Sequence, residues 1–219
     1  MVAALAVVAI VAAIVFVTEI EQLGALSDRT ESFSEFTRRI DLANRIDSLN
    51  DAFLGITLIV AVVFIMWMWR AAKNNEALGR QQPRFRPGWA IGGWFIPLAN
   101  LVIPVLIMQD LWRGSDQSIP RGDMRWKIAD RSALVGWWWG LLFASRVFNA
   151  IGNSIGDNGG LTNLRQGIAI QTVGTAITIV AAVLAVLVVR RLGERQDGCL
   201  RKQQEQWGQQ SGESPAPPA

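Results

Sequence analysis

The sequence predicts an all-α polytopic membrane helix bundle, and three observations support this fold class. Hydrophobic residues make up 51% of the 219 residues, and the mean hydropathy is positive. Four apolar runs are long enough to cross a bilayer, and basic residues cluster beside them. We expect one membrane domain over 1–190, with transmembrane helices at about 1–20, 52–70, 132–151 and 167–189, an amphipathic helix at 30–50 and a proline-broken re-entrant or interfacial segment at 89–112.

The composition excludes most catalytic chemistry. The chain has no histidine, which removes the commonest general base, metal ligand and pH switch. Its one cysteine, Cys199, rules out an internal disulfide and a cysteine-cluster metal site. Because no nucleophile elbow, phosphate loop or carboxylate pair within a span is present, we expect no enzyme, no cofactor and no metal site. The net charge is only +3 and the basic residues flank apolar runs, which indicates contact with the lipid bilayer rather than with nucleic acid.

The first apolar run is predicted to be a retained membrane anchor. A signal peptide would begin with basic residues, whereas the first charged side chain here is Glu19. The next segment, 30–50, carries apolar side chains mostly every three or four residues, which is typical of an amphipathic helix. Ser32 followed by Glu35 matches a capping box at its start. We expect this helix to lie on the membrane or to pack against another subunit before it runs into the span at 52–70.

The segment from Trp89 to Trp112 is apolar enough to enter a bilayer but is interrupted by two prolines. Pro97 and Pro104 remove backbone donors and displace the carbonyl groups of Gly93 and Asn100. A carbonyl without a partner in hydrocarbon costs several kcal/mol, so a straight lipid-facing helix is a poor interpretation. The segment either dips into the membrane and returns to the same side or forms a kinked span buried in a bundle. A third interpretation is that the prolines only shape an interfacial helix pair that binds no ligand.

Small residues form stripes on the last two predicted spans. Gly136, Gly140 and Ala144 stand four residues apart, which suits close contact with a protein partner or with a second copy of the chain. Such stripes usually hold helices together, although polar members could instead line a path through the membrane. The last span has a stripe of small and polar residues on one face, made of Gly167, Gln171, Gly174 and Thr178.

Arg146 is the only basic residue well inside an apolar run. A charge within the membrane is costly and is therefore a functional candidate. Arg146 lies near the end of its span, so its side chain could also extend to the interface. A local bond to Asn149 or Asp157 is a further alternative.

Basic loops predict the sidedness of the chain. The loop 113–131 and the tail after the last span are rich in Lys and Arg, so both are expected in the cytoplasm. The count of basic residues barely distinguishes a return of the broken segment from a crossing. We favour a return because the basic loop 70–86 directly follows the second span. The prediction is a bacterial cytoplasmic membrane protein with both termini inside, ending in a Gln- and Pro-rich cytoplasmic tail, 191–219, that is disordered.

Several short motifs resemble a known family. The core reads Gly-Trp-Phe-x-Pro-x-x-Asn at 93–100, and the resemblance covers roughly 40–190. The family is bacterial, largely actinobacterial, and is catalogued as domain of unknown function 4328. The resemblance implies a multi-pass membrane location and layout but no activity, and the longer polar N-terminus of many members leaves open a start codon upstream of Met1. The motifs are Trp69–Asn74, Leu78-Gly79, Pro87–Ala90, Gly93–Leu101, Pro104 and Leu111–Arg113.

Two function classes follow from these features. The first is a non-enzymatic membrane scaffold or interaction protein, which the amphipathic helix, the small-residue stripes and the lack of a catalytic set favour. The alternative is a small channel or transporter that uses the proline-broken segment and Arg146. The candidate functional residues are Trp94, Pro97, Asn100, Pro104, Arg146 and Gln171.

Overall fold

A computed structural model describes residues 1–25 and 33–211, and for residues 33–50, 161, 210 and 211 it describes the backbone alone. Helices are the main secondary structure of the described residues, which contain no strand, and this confirms the all-α fold class. A 3-10 helix, Met124–Ile128, lies in the connection between the helices that end at Gly114 and begin at Ala133. The helices are α1 (Val2–Ala25), α2 (Phe33–Ala77), α3 (Trp89–Gly92), α4 (Ala99–Gly114), α5 (Ala133–Gly156) and α6 (Leu161–Ser211).

Three helical stretches are long and apolar enough to cross a membrane. They are Val2–Ala25, Asp51–Ala77 and a part of Thr162–Gln209, and they contain three of the four predicted spans. The fourth predicted span, 132–151, coincides with helix α5, which is not among the three. Its three consecutive tryptophans, its glycines and Arg146 lower its hydropathy.

The predicted amphipathic segment is the first part of a longer helix. Helix α2 begins at Phe33 and continues without interruption to Ala77, so the segment 33–50 and the second span belong to one continuous helix. The side chains of 33–50 lie outside the described residues, and so does the predicted cap residue Ser32. The amphipathic arrangement therefore stays a prediction.

The chain divides into two compact units. The first unit comprises Met1–Val63 and Gly136–Val186, and the second comprises Phe64–Val135 and the chain from Leu187 onward. Helices α2, α5 and α6 each contribute residues to both units.

Close contact between α5 and α6 organises the first unit. A Cβ atom added to Gly167 would lie 2.7 Å from the carbonyl oxygen of Gly152, so the two backbones touch where only glycine fits. Farther along α6, Gly174 faces the side chain of Asn149, and the Gln171 amide donates a hydrogen bond of 2.6 Å to Oδ1 of Asn153. The predicted role of this stripe in holding helices together is confirmed for Gly167, Gln171 and Gly174.

The C-terminal half of α6 belongs to the second unit, and here the prediction of disorder is wrong. The helix continues through residues 191–211, and residues 212–219 lie outside the described part of the chain. Leu192, Gln196 and Cys199 recur every three to four residues and are buried, as expected for one face of a helix. The glutamine-rich composition predicts disorder, although the spacing of these three residues is that of a helix.

Candidate functional site

Arg80 is a buried cation at the centre of the second unit. Its side chain is only 4% exposed and donates to four backbone carbonyl groups. Nε bonds to the oxygen of Gly114 at 2.7 Å, and Nη2 bonds to the oxygen of Asp116 at 2.9 Å. Nη1 bonds to the oxygens of Ile119 at 3.0 Å and Pro120 at 2.9 Å. A planar guanidinium with five donors suits such an array, which an ammonium group cannot satisfy.

The position of Arg80 follows from the way helix α2 ends. Gly79 adopts a φ of 75°, and the amide of Arg80 donates to the carbonyl oxygen of Asn75 at 3.0 Å. This is the Schellman pattern that stops a helix and turns the chain. A side chain on Gly79 would also collide with Arg121. The turn therefore directs the residue after Gly79 into the loop that follows α4.

Carbonyl dipoles and a nearby carboxylate stabilise the charge of Arg80, which makes no direct ion pair among the described residues. Its acceptors include the carbonyl group of Gly114 at the C-terminus of α4, where the helix dipole is negative. The Asp116 carboxylate lies nearby, and its pKa is lowered mainly by hydrogen bonds from the Ser118 hydroxyl and amide, with Arg195 and Arg80 adding to the effect. Arg195 also lies over the ring of Trp112, 4.6 Å from its centroid.

These bonds bring the two ends of the proline-broken segment together. Arg80 precedes the segment 89–112 in the chain, and its acceptors at 114–120 follow the segment. Asn75, near the end of α2, also donates to the carbonyl oxygen of Asp110. The chain therefore begins and ends this segment at the same place in the second unit.

The segment itself is a short helix, a turn and a longer helix. Gly93 packs so closely against Ile103 that a Cβ atom added to it would lie 2.7 Å from that side chain. Trp94 packs edge-on against Phe64, with ring centroids 6.0 Å apart. The turn between α3 and α4 exposes large apolar side chains, with Phe95 at 75% and Leu98 at 80% exposure. Large exposed apolar side chains of this kind mark a surface that contacts lipid or another protein.

The two prolines occupy different environments. Pro97 is exposed in the turn, where the helix is already interrupted, so it removes no helical hydrogen bond there. Pro104 is buried inside α4. Asn100 is half-buried in the first turn of α4, and its backbone amide donates to the carbonyl oxygen of Ile96 at 2.8 Å. The expected break of a straight helix is present, and it falls at 93–98.

The remaining candidates lie in the first unit. Arg146 is exposed on α5, and Asn149 donates to the Ser145 carbonyl oxygen at 2.9 Å. Gly136 and Gly140 are exposed, and a Cβ atom added to either would meet no atom within 4 Å.

Glu19, the first charged residue of the chain, is a buried carboxyl and was not among the candidate residues. Helix α1 extends past it to Ala25, and the residue is 7% exposed. Its Oε1 accepts a hydrogen bond of 3.0 Å from the Thr175 hydroxyl, whereas its Oε2 has no hydrogen-bond partner among the described residues. A charged residue within a long apolar helix could have identified Glu19 as a candidate from the sequence. Across the part of the chain that the structure describes, no group of three or more metal-ligating side chains is present.

The C-terminal half of α6 also completes the second unit. The Gln196 amide donates to the carbonyl oxygen of Ala71 at 3.1 Å and accepts from Asn74 at 3.2 Å. The Cys199 thiol donates to the carbonyl oxygen of Ser115 at 3.5 Å. Both residues lie in the segment whose composition predicts a disordered tail, so neither was a candidate.

A family model described as Domain of unknown function (DUF4328) matches residues 41–194, which is more than half of the chain. The chain belongs to this family. No curated protein and no solved structure matches the chain. The DUF4328 match includes Arg80, its four acceptors and the whole broken segment. It ends before Gln196 and Cys199, so the helical extension that packs on the Arg80 loop lies beyond the matched residues.

Proposed function

We propose that this DUF4328 protein is a non-enzymatic interaction protein of the bacterial cytoplasmic membrane that associates laterally with a second copy of itself through α5. The observation that carries the proposal is the open stripe of Gly136, Gly140 and Ala144. Both glycines face open space, while Gly152, nearer the other end of α5, is packed against Gly167 and Gln171 of α6. Two identical helices can approach closely along such a stripe and form a self-complementary contact.

The proposed layout has four spans and a re-entrant segment. The spans are α1, the apolar part of α2, α5 and the first half of α6. The hydrogen bonds of Arg80 to residues on the far side of the segment support a return to the same membrane face, because opposite faces are about 30 Å apart. The exposed apolar side chains of Phe95 and Leu98 support insertion of the tip into lipid. Basic residues in both flanking loops favour the cytoplasm for those loops and for both termini.

Cysteine labelling tests this layout. We expect a membrane-impermeant maleimide added to intact cells to label Asn158→Cys but not Gln81→Cys or Ser118→Cys, each in a Cys199→Ser background. All three positions are exposed, so permeabilised cells should label all three. Labelling of Gln81→Cys in intact cells would show that the segment crosses the membrane.

Self-association tests the proposed function. We expect Gly140→Leu to abolish cross-linking of two copies in the membrane, because a leucine keeps the helix backbones apart. Its fold should remain intact, since the added side chain meets open space. Gly193→Leu, on α6, is the matched control, because this glycine also has no neighbour within 4 Å but lies outside the stripe. A cross-linking yield unchanged by Gly140→Leu would contradict the proposal.

Glu19 favours a second candidate function, a small channel or transporter. Glu19 accepts a hydrogen bond from the Thr175 hydroxyl, and a carboxyl group inside a membrane often marks an ion or proton pathway. A channel of this kind would pass protons or cations in proteoliposomes and would lose that flux in Glu19→Gln. An interaction protein would show no flux, either with Glu19 in place or in Glu19→Gln.

A further inference from the structure

A basic cavity lies in the second unit, beside the C-terminal half of α4. Its volume is about 180 Å³, several times the ~30 Å³ that one water molecule occupies in the liquid. It is therefore large enough for a small polyatomic group. The lining residues are Gln82, Arg84, Asp110, Arg113, Trp126 and Lys127.

Two of the lining side chains hold buried N–H groups without an acceptor. The Nε1 atom of Trp126 and the Nε atom of Arg113 have no hydrogen-bond partner among the described residues. Trp126 is only 2% exposed, and the side chain of Arg113 is 11% exposed. Leaving a buried donor unsatisfied is costly, so native structures normally supply an acceptor.

The cavity also has an excess of positive charge. Arg84, Arg113 and Lys127 face a single carboxylate, that of Asp110. The closest contact between Asp110 and Arg113 is long, at 3.9 Å, so this ion pair leaves most guanidinium donors available. Arg131 lies within electrostatic range of the same carboxylate. The cavity therefore differs from the Arg80 site, where four backbone carbonyl groups accept hydrogen bonds from the buried guanidinium.

We propose that this cavity binds a phosphate group, supplied either by a lipid headgroup or by a soluble phosphate compound. A phosphate has several acceptor oxygens arranged tetrahedrally and carries one or two negative charges. That matches the guanidinium and ammonium groups of Arg84, Arg113 and Lys127, which come from separate elements, together with a local excess of about two positive charges. A planar carboxylate, with two oxygens and one charge, would leave more of these donors without an acceptor.

The position of the cavity along α4 agrees with a phosphate at the membrane surface. Between Leu98 in the apolar tip and Asp110 at the cavity, a helix rises roughly 18 Å. Half of the hydrocarbon core is about 15 Å thick, so a tip near the bilayer centre places the cavity at the level of the headgroups. The placement of the cavity at the headgroup level depends on the proposed layout, whereas the set of donors in the cavity does not.

Two probes and two variants test the proposal on the purified full-length protein in detergent. The first probe is inorganic phosphate, whose binding is measured as an increase in the thermal unfolding midpoint. The second is phosphatidic acid, whose binding is measured by native mass spectrometry. Arg84→Gln combined with Lys127→Gln should weaken binding about tenfold or more, because two charged donors are lost. Asp110→Asn should tighten binding several-fold, since it removes the opposing charge. A gain in affinity cannot result from a damaged fold.

The matched control is Arg86→Gln combined with Arg125→Gln. Both residues are exposed in the same loops but do not line the cavity, so binding should stay unchanged. Binding of phosphatidic acid that inorganic phosphate cannot displace would identify a lipid headgroup, and displacement would identify a site open to soluble phosphate. The proposal is overturned if neither probe binds, or if the control pair weakens binding as much as the cavity pair. The cysteine labelling and cross-linking tests above can fail without affecting this result.

Discussion

Replacing Arg80 by methionine is expected to lower the free energy of unfolding by about 3–5 kcal/mol. Methionine keeps much of the side-chain volume but donates no hydrogen bond. The four carbonyl groups at 114–120 that now accept from the guanidinium would lose that donor beside a buried apolar side chain. Because a buried polar group without a partner is costly, the loop after α4 should detach from the end of α2.

Two measurements test this effect, and the second distinguishes it from a general loss of stability. The first is thermal unfolding in detergent, which should show a lower midpoint. The second is the rate at which a maleimide labels Cys199, which is 5% exposed and bonds to the carbonyl oxygen of Ser115. If the loop detaches, Cys199 becomes accessible and its labelling accelerates.

Arg86→Met is the matched control for this variant. Arg86 is an exposed arginine of the same loop, so its replacement should change the stability by no more than about 0.5 kcal/mol. Arg80→Lys should fall between the two, since lysine retains the charge but cannot reach four carbonyl oxygens from one planar group. Equal stability of Arg80→Met and Arg86→Met would show that the guanidinium does not hold the loop.

The apolar runs predict the long helices well because hydrophobicity and length are local properties of the chain. The break at Pro97 is likewise predictable, since a proline acts on residues within one helical turn. Arg80 could not be found in the same way. Its acceptors lie 34–40 residues later in the chain, and a basic loop residue is ordinarily solvated. Only the packed structure shows that this arginine is buried.

The helical extension of α6 was accessible to sequence reasoning but was missed. Composition indicated disorder, whereas the spacing of Leu192, Gln196 and Cys199 indicates a helix with one buried face. Gln196 is polar, so the pattern has a gap at its centre when only apolar residues are counted. Its amide group is buried because Ala71 and Asn74 supply hydrogen-bond partners, and no local rule predicts those contacts.

Replacing Gly167 by leucine is expected to lower the free energy of unfolding by about 3 kcal/mol. Even the first side-chain atom would lie 2.7 Å from the carbonyl oxygen of Gly152 and 2.8 Å from the amide nitrogen of Gly156. These atoms belong to the backbone and cannot rotate away as a side chain would. The α5–α6 pair would have to separate, and the hydrogen bond between Gln171 and Asn153 would break with it.

Gly140→Leu provides the comparison that isolates this packing effect. Both variants add the same side chain to a helical glycine, and both exchange glycine for a better helix former. Only Gly167 has backbone atoms in the way, while Gly140 has open space. In detergent, at a protein concentration low enough to keep the protein monomeric, thermal unfolding should therefore show a large loss for Gly167→Leu and little change for Gly140→Leu. Equal losses would mean that both glycines are packed within one chain, and that the stripe at Gly136 and Gly140 is not free to contact a second copy.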